Sequence, residues 1–191
     1  MKKQVIVWCF ILCGAMVKAQ TKGDLHYVYG IDFSEVKVSG AKESETNEKF
    51  LQAFVGINSL LRSDPASYDF SRMLGGNVVV VLEPMYQKLE ACNYTDFKQL
   101  SPVIPQIDVA SMVKDYVLPQ TAGYGVVLVA KLLDKMQDKA FYDLVVFDIA
   151  TRNILIRKEV SGEAGGMGLR NFWAAPIREV LKKTKLYKKQ K

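Results

Sequence analysis

The stretch from Gly125 to Leu181 constrains the fold more than any other part of the chain. Within it, β-branched and aromatic residues, which favour strands, are concentrated in three runs. These runs occupy residues 125–133, 141–148 and 154–160. Short polar connections separate them, which predicts antiparallel neighbours in a meander. A glycine-rich segment and an apolar pattern of helical spacing follow, so the stretch predicts three strands, a turn and a closing helix.

The N-terminal half carries the other strand signals. Leu25–Val38 is predicted as one strand, because it is rich in aromatic and β-branched residues. The two-residue period of a strand would place four of its large side chains on one face, namely Tyr27, Tyr29, Ile31 and Phe33. Gly30 is a candidate for a bulge or a close neighbour. The continuous run Val78–Leu82 predicts a strand buried on both faces and therefore central to the sheet.

Two helices are predicted between these strands. Residues 45–61 have an apolar stripe at spacings of three and four, with Ser44 or Thr46 as the N-cap. Asp108 is the predicted N-cap of a second, short helix, which Pro119 would end. The fold class is therefore α/β (α+β), with a mixed sheet in the order β-α-β-α-β-β-β-α and helices packed on it. We expect a single domain over residues 20–184.

Residues 1–19 have the features of a secretory signal peptide. A positively charged start, Lys2 and Lys3, precedes a nearly uncharged apolar run, and Val17-Lys18-Ala19 resembles a cleavage site. Cys9 and Cys13 lie in this segment, but the residues around them do not resemble an acylation site. One cysteine, Cys92, would remain after cleavage. The predicted location is outside the cytoplasm, in the periplasm or secreted.

The net charge of +6 comes from the two ends of the chain. Without Lys2, Lys3 and Lys18, 23 basic residues face 20 acidic ones. Residues 185–191 form a basic tail, and the last ten residues hold six lysines: Lys182, Lys183, Lys185, Lys188, Lys189 and Lys191. Such a tail is a candidate for weak contact with an anionic membrane surface. The alternative is a solvated helix end, where lysines complement the helix dipole.

The segment Gly162–Gly168 resembles a phosphate-binding loop at first sight, because it lies between a predicted strand and a predicted helix. A P-loop requires Gly-Lys followed by Ser or Thr, and no such pair follows here. The dinucleotide pattern would need a third Gly or Ala at the position of Asn171. We therefore interpret the segment as a structural turn in which glycine permits positive φ or close backbone approach, and we predict no cofactor.

The glycines and the residues after them form the candidate binding site or structural turn. Its members are Gly162, Gly165, Gly166, Gly168, Arg170, Asn171 and Trp173. Arg170 and Asn171 could bind an anion at the helix N-terminus or cap the helix. Trp173 belongs to the apolar stripe of the helix and is predicted to anchor the core. Pro176 would be tolerated if it lies in the first turn.

No catalytic constellation is evident in the sequence. His26 is the sole histidine, no Gly-x-Ser-x-Gly elbow is present, and Cys92 lies in no nucleophile signature. Zinc ligands of the usual type are lacking. Four carboxylates lie in predicted turns and strands, with no spacing that selects a pair: Asp134, Asp138, Asp143 and Asp148. Aromatic residues alternate with aliphatic rather than basic ones, so nucleic-acid binding is not expected.

Several segments resemble a group of uncharacterised secreted proteins of Bacteroidetes-type bacteria. The similar segments are Phe147–Arg152, Gly165–Gly168, Arg170–Ala174 and Val113–Gly125. The order of the elements also resembles the N-terminal domain of TolB and similar envelope lipoprotein domains, which are binding and assembly modules. The resemblance implies an exported α/β domain and assigns no catalytic residue.

These observations give one leading hypothesis and two alternatives. The leading hypothesis is a non-catalytic binding or assembly module of the cell envelope, whose partner is an envelope protein or another unidentified ligand. The first alternative is a carboxylate-dependent hydrolase with a cleft near Gly162–Gly168. The second is a protein held at a membrane surface by its lysine tail.

Overall fold

A computed structural model describes residues 25–92 and 97–186 and contains a sheet with helices packed against it. The strands are β1 Leu25–Asp32, β2 Lys37–Ser39, β3 Asn77–Val80, β4 Lys98–Gln99, β5 Tyr124–Asp134, β6 Lys139–Asp148 and β7 Ile154–Glu163. The helices are α1 Asn47–Ser63, α2 Ser71–Leu74, α3 Glu83–Ala91, α4 Val109–Lys114 and α5 Leu169–Lys183. The predicted α/β class, with a mixed sheet and helices packed on it, is confirmed.

Strand β5 is the centre of the sheet. Strands β1 and β2 pair with successive parts of one edge of β5, and β3 and β4 extend the sheet beyond them; all four of these pairings are parallel. On the other edge, β6 pairs with β5 and β7 pairs with β6, both antiparallel. Among the described strands, the parallel part is thus larger than the sequence suggested.

The predicted order of elements is incomplete. The expected strand Leu25–Val38 breaks after Asp32 at a turn in which the Val36 N–H donates to the Phe33 carbonyl, and β2 resumes on a later part of β5. The connectors of the N-terminal half also contain α2, α3 and the two-residue strand β4. These short elements have too few residues to produce a clear periodic pattern.

The prediction that Val78–Leu82 forms a central, doubly buried strand is wrong. The structure places β3 at the side of the sheet, where it pairs with β1, and its residues alternate between exposed and half-buried. The central strand is β5, which is buried over nearly its whole length. A β-branched run indicates a strand, but the position of that strand in the sheet depends on its contacts with residues that are distant in the sequence.

A bulge at Gly30 reverses the predicted pattern of side chains in β1. The register with β5 shifts between Val28 and Gly30, and Gly30 has a φ of 105°. Tyr29 therefore contributes to one core cluster, whereas Ile31 and Phe33 contribute to the other. The expected common face is wrong, because one extra residue inverts the alternation of a strand.

Asn58 of α1 satisfies the backbone at this bulge. Its side-chain amide donates to the Ile31 carbonyl at 2.9 Å, and its Oδ1 accepts from the Ile31 N–H at 2.8 Å. A side chain at Gly30 would meet that oxygen, since an added Cβ would lie 2.5 Å from it. Gly30 is therefore both a bulge residue and a site of close approach, as the sequence suggested.

The helices enclose two core clusters. Helices α1 and α5 bury their apolar faces in the larger cluster, and α4 contributes to the smaller one. The predicted caps are confirmed: the Thr46 hydroxyl accepts from the Lys49 N–H, and the Asp108 carboxylate accepts from the Ser111 N–H. Within the described part of the chain, no helix combines the length and apolar character needed to span a membrane.

Candidate binding site at the glycine turn

The glycine segment joins β7 to α5, but its first glycine belongs to the strand. Gly162 lies in β7, where it is paired with Ala140 and buried, and β7 continues to Glu163. The turn itself comprises residues 164–168, and α5 begins at Leu169 as expected. The prediction that Gly162 forms part of the turn is therefore wrong.

Gly162 allows α5 to pack closely on β7. An added Cβ would lie 2.4 Å from the Pro176 carbonyl oxygen and 2.8 Å from the Pro176 Cα. Both are backbone atoms, so no side-chain rotation could relieve the overlap. Glycine is thus required here by the distance between strand and helix.

Pro176 lies inside α5, outside the first turn in which the sequence would have tolerated it. It is the eighth residue of the helix and has no N–H to donate to the Phe172 carbonyl. The turn supplies the missing donor, because the Gly165 N–H donates to that carbonyl at 3.1 Å. The glycine turn therefore completes the hydrogen bonding of the helix that follows it.

Two further glycines adopt backbone conformations that other residues rarely adopt. Gly166 has a φ of 107° and Gly168, the residue preceding α5, a φ of 80°. Gly165 is different, since its φ is not in the positive range and an added Cβ there would meet no heavy atom within 4 Å. The conformation of the turn is therefore determined mainly by Gly166 and Gly168.

Trp173 anchors α5 in the core, as predicted. Its side chain is fully buried and packs edge-on against the ring of Phe172, with centroids 4.8 Å apart. Within the described residues, its indole N–H has no hydrogen-bond partner. Gly162 and Trp173 are therefore structural members of the predicted set.

The remaining residues of the turn border an open cavity of about 360 Å³. Gly165, Gly166 and Asn171 line it, as do three polar residues that sequence reasoning missed: Asp64, Tyr68 and Arg178. Its other walls are Leu60, Met167 and Ala174. The structure thus brings part of the predicted site together with the connector that follows α1.

Tyr68 and Arg178 are the central polar groups of this cavity. The Tyr68 side chain forms part of the wall and is only 3% exposed, and its hydroxyl has no hydrogen-bond partner in the described chain. The Arg178 guanidinium lies over the Tyr68 ring, 6.0 Å from its centroid. No carboxylate among residues 25–92 and 97–186 forms an ion pair with Arg178. Two polar groups are therefore available to a ligand.

Asn171 lines the cavity, whereas Arg170 lines a neighbouring cavity together with Glu45 and Lys49. The Arg170 Nε donates to the Asn171 Oδ1 at 3.1 Å, which leaves the Asn171 amide donors free to face a ligand. Burial raises the pKa of Tyr68; nearby Arg178 opposes this effect, Asp64 adds to it, and Arg170 opposes it. Both arginines are thus close enough to Tyr68 to stabilise negative charge.

The predicted carboxylates do not line this cavity, and three of the four have structural partners for their side chains. Asp134 accepts from the Ser39 hydroxyl at 2.9 Å and from the Met136 N–H, and Asp148 accepts from the Thr151 N–H in a turn. Asp143 is fully buried and accepts two hydrogen bonds from Arg157, with Lys131 Nζ 3.6 Å away. Asp138 occupies the turn between β5 and β6. Among the described residues, Asp64 is the sole carboxylate in the cavity lining.

His26 and Cys92 also lie outside the cavity. His26 is buried in β1, with its ring 5.6 Å from that of Tyr124. The half-buried Cys92 thiol donates weakly to the Lys88 carbonyl, and burial raises its pKa. Among the residues that the structure covers, no three His, Cys, Asp or Glu side chains could hold a metal ion together.

The structure describes only part of the predicted basic tail. Lys183 forms an ion pair with Glu179, and Lys182 and Lys185 are exposed. Lys188, Lys189 and Lys191 lie outside the described residues, as does the predicted signal peptide. Contact of the tail with a membrane surface stays a prediction.

Comparisons of the chain with protein-family models, curated proteins and solved structures found no match. The resemblance to secreted Bacteroidetes-type proteins and to envelope domains of the TolB type therefore stays a prediction. Any functional proposal must follow from the chemistry of the site itself.

Proposed function

We propose that the chain is an exported, non-catalytic binding domain of the cell envelope, and that the cavity beside the glycine turn receives its partner. The observation that carries this proposal is the convergence on that cavity of polar residues with donors that no described residue occupies. Tyr68, Asn171 and Arg178, which carry a hydroxyl, an amide and a guanidinium, line the same cavity. A concave surface with a few convergent polar groups is the usual form of a ligand site.

The other buried polar groups support a binding role over a catalytic one. Asp32 accepts from the Tyr116 hydroxyl at 2.8 Å, and Asp143 is held by Arg157. These groups are engaged in holding the fold together. A hydrolase of the carboxylate-dependent type needs two carboxylates at the reacting bond. The cavity lining has one, Asp64, whose Oδ1 accepts from the Ser67 N–H.

Export is the second part of the proposal and rests on the sequence of residues 1–19. A charged start followed by an apolar run and small residues before Gln20 is typical of a cleaved leader. Expression of the full chain in a Gram-negative host, followed by mass spectrometry of the product, tests this part. A mature protein beginning at Gln20 outside the cytoplasm is expected. Retention of the intact chain in the cytoplasm would contradict export.

Photo-cross-linking tests the binding role at the cavity. Met167 lines the cavity and is 90% exposed, so a photoreactive residue at this position would face a bound partner. Met136 is a matched control, because it is also a methionine in a turn and is 79% exposed, but it packs against Gly40. We expect discrete cross-linked products in envelope extracts from position 167 and none from position 136. Equal labelling at both positions would contradict the proposal.

A further inference from the structure

We infer that the cavity beside the glycine turn recognises a small monocarboxylate attached to an apolar group. This inference rests on the proposed binding function and adds the chemical class of the ligand. Three residues with donor groups line the cavity: Arg178, Tyr68 and Asn171. A carboxylate accepts hydrogen bonds through both oxygens and matches the planar geometry of a guanidinium.

Tyr68 is the observation that points to a ligand. Its side chain is almost completely buried, yet its hydroxyl has no hydrogen-bond partner in the described residues. The hydroxyl oxygen itself is not fully buried, so it can reach an acceptor that enters the cavity. The Tyr68 side chain lines an open cavity with an unpaired guanidinium beside it, so an acceptor from outside the chain would satisfy both groups.

The charge of the site favours a monoanion. Arg178 and Asp64 line the cavity with opposite charges. Arg170 lines a neighbouring cavity, but it bonds to Asn171 and adds one positive charge near Tyr68. The formal charge of this group is therefore close to +1, which one carboxylate would neutralise. A phosphate group carries about −1.5 to −2 at neutral pH, so it would leave the site negative and is a poorer match.

The apolar part of the cavity indicates which kind of chemical group carries the carboxylate. Leu60, Met167 and Ala174 form the remaining side-chain surface beside the polar groups. Together with a volume of about 360 Å³, this surface suits a short aliphatic group. Such a carboxylate could come from the end of a peptide or from an acyl chain. N-acetylleucine and hexanoate represent these two sources.

Isothermal titration of the full chain with these probes tests the inference. We expect N-acetylleucine to bind with a millimolar Kd and its uncharged amide at least tenfold more weakly. Stronger binding of hexanoate than of N-acetylleucine would indicate an acyl chain as the source, and weaker binding a peptide end. Equal affinity for the acid and the amide, or preferred binding of inorganic phosphate, would overturn the inference.

Matched variants locate the binding. Arg178→Gln should weaken binding of N-acetylleucine at least tenfold, and Tyr68→Phe, which removes one hydroxyl, several-fold. Lys158→Gln is the control, because it removes an exposed positive charge from β7, and it should leave the Kd unchanged. Thermal melting of each variant verifies that it is folded. A folded Arg178→Gln variant with the original affinity would refute the assigned site.

The two proposals can fail separately. If cross-linking at Met167 captures a partner but N-acetylleucine, hexanoate and phosphate do not bind, the ligand class is wrong and the binding role stands. If N-acetylleucine binds through Arg178 but position 167 gives no cross-link, the site recognises a carboxylate and the proposal of an envelope partner is wrong.

Discussion

Replacement of Gly162 by alanine would place a methyl group against the backbone of α5. The new Cβ would lie 2.4 Å from the Pro176 carbonyl oxygen and 2.9 Å from its carbonyl carbon, whereas ordinary contacts begin near 3.4 Å. The helix would have to move about 1 Å away from β7. Overpacking of this kind costs about 1–3 kcal/mol, and we expect the upper part of that range because no side chain can rotate away.

The same movement would weaken the hydrogen bond from the Gly165 N–H to the Phe172 carbonyl. That bond contributes about 1 kcal/mol. The free energy of unfolding of Gly162→Ala should therefore fall by about 3 kcal/mol, which corresponds to a decrease in Tm of about 6–12 °C in a chain of this size. Urea denaturation followed by circular dichroism measures the change directly.

Gly165→Ala is the matched control, since it adds the same methyl group three residues later. The new Cβ would have no heavy atom within 4 Å, and we expect a change within about 0.5 kcal/mol. If Gly162→Ala proved as stable as Gly165→Ala, close packing of α5 on β7 would not be the reason for the glycine. The structural interpretation of the segment would then be refuted.

Three further predictions concern the core, the bulge and pH. Trp173→Ala should reduce the free energy of unfolding by about 3–5 kcal/mol, whereas Trp173→Phe should cost less, since it retains much of the volume and removes the unpartnered indole N–H. Asn58→Ala should cost about 2–4 kcal/mol, because it leaves the N–H and the carbonyl of Ile31 buried without partners. Burial raises the pKa of Glu45, but hydrogen bonds from Lys135 and from the Lys42 N–H outweigh it and hold that pKa below its usual value. The resulting stabilisation is present above the unfolded-state pKa and is lost as the pH falls through the folded-state pKa, so Glu45→Gln should reduce the loss of stability between about pH 5 and pH 3.

Urea denaturation of each variant checks these three predictions. An unchanged midpoint for Trp173→Ala would mean that the indole is not part of the core. A cost below about 0.5 kcal/mol for Asn58→Ala would mean that water satisfies the backbone at the bulge. Parallel pH profiles for the original chain and Glu45→Gln would show that the ion pair with Lys135 does not stabilise the fold.

Features of the fold that depend on residues close together in the sequence could be predicted from it. The N-caps Thr46 and Asp108 bond to N–H groups three residues away, and the helical stripe around Trp173 lies within one element. The face reversal in β1 could not be predicted, because the Gly30 bulge is held by Asn58, 27 residues after Ile31. The side position of β3 likewise depends on which strand occupies the other edge of β1.

The candidate site was predictable only in part. Gly165, Gly166 and Asn171 belong to one continuous segment, so the glycine-rich composition of that segment predicted these three lining residues. Arg178 follows Asn171 by seven residues, two helical turns, and this spacing on α5 could have identified it. Tyr68 comes from the connector after α1, more than 90 residues earlier in the chain, and no local pattern marks its hydroxyl as unpartnered.

A crystal structure of the full chain grown with N-acetylleucine tests the central proposal most directly. We predict electron density for a carboxylate within hydrogen-bond distance of the Arg178 guanidinium and the Tyr68 hydroxyl, with the leucine side chain against Leu60 and Ala174. A well-ordered cavity that contains only water at saturating N-acetylleucine would contradict the proposal, as would density for the ligand at another surface.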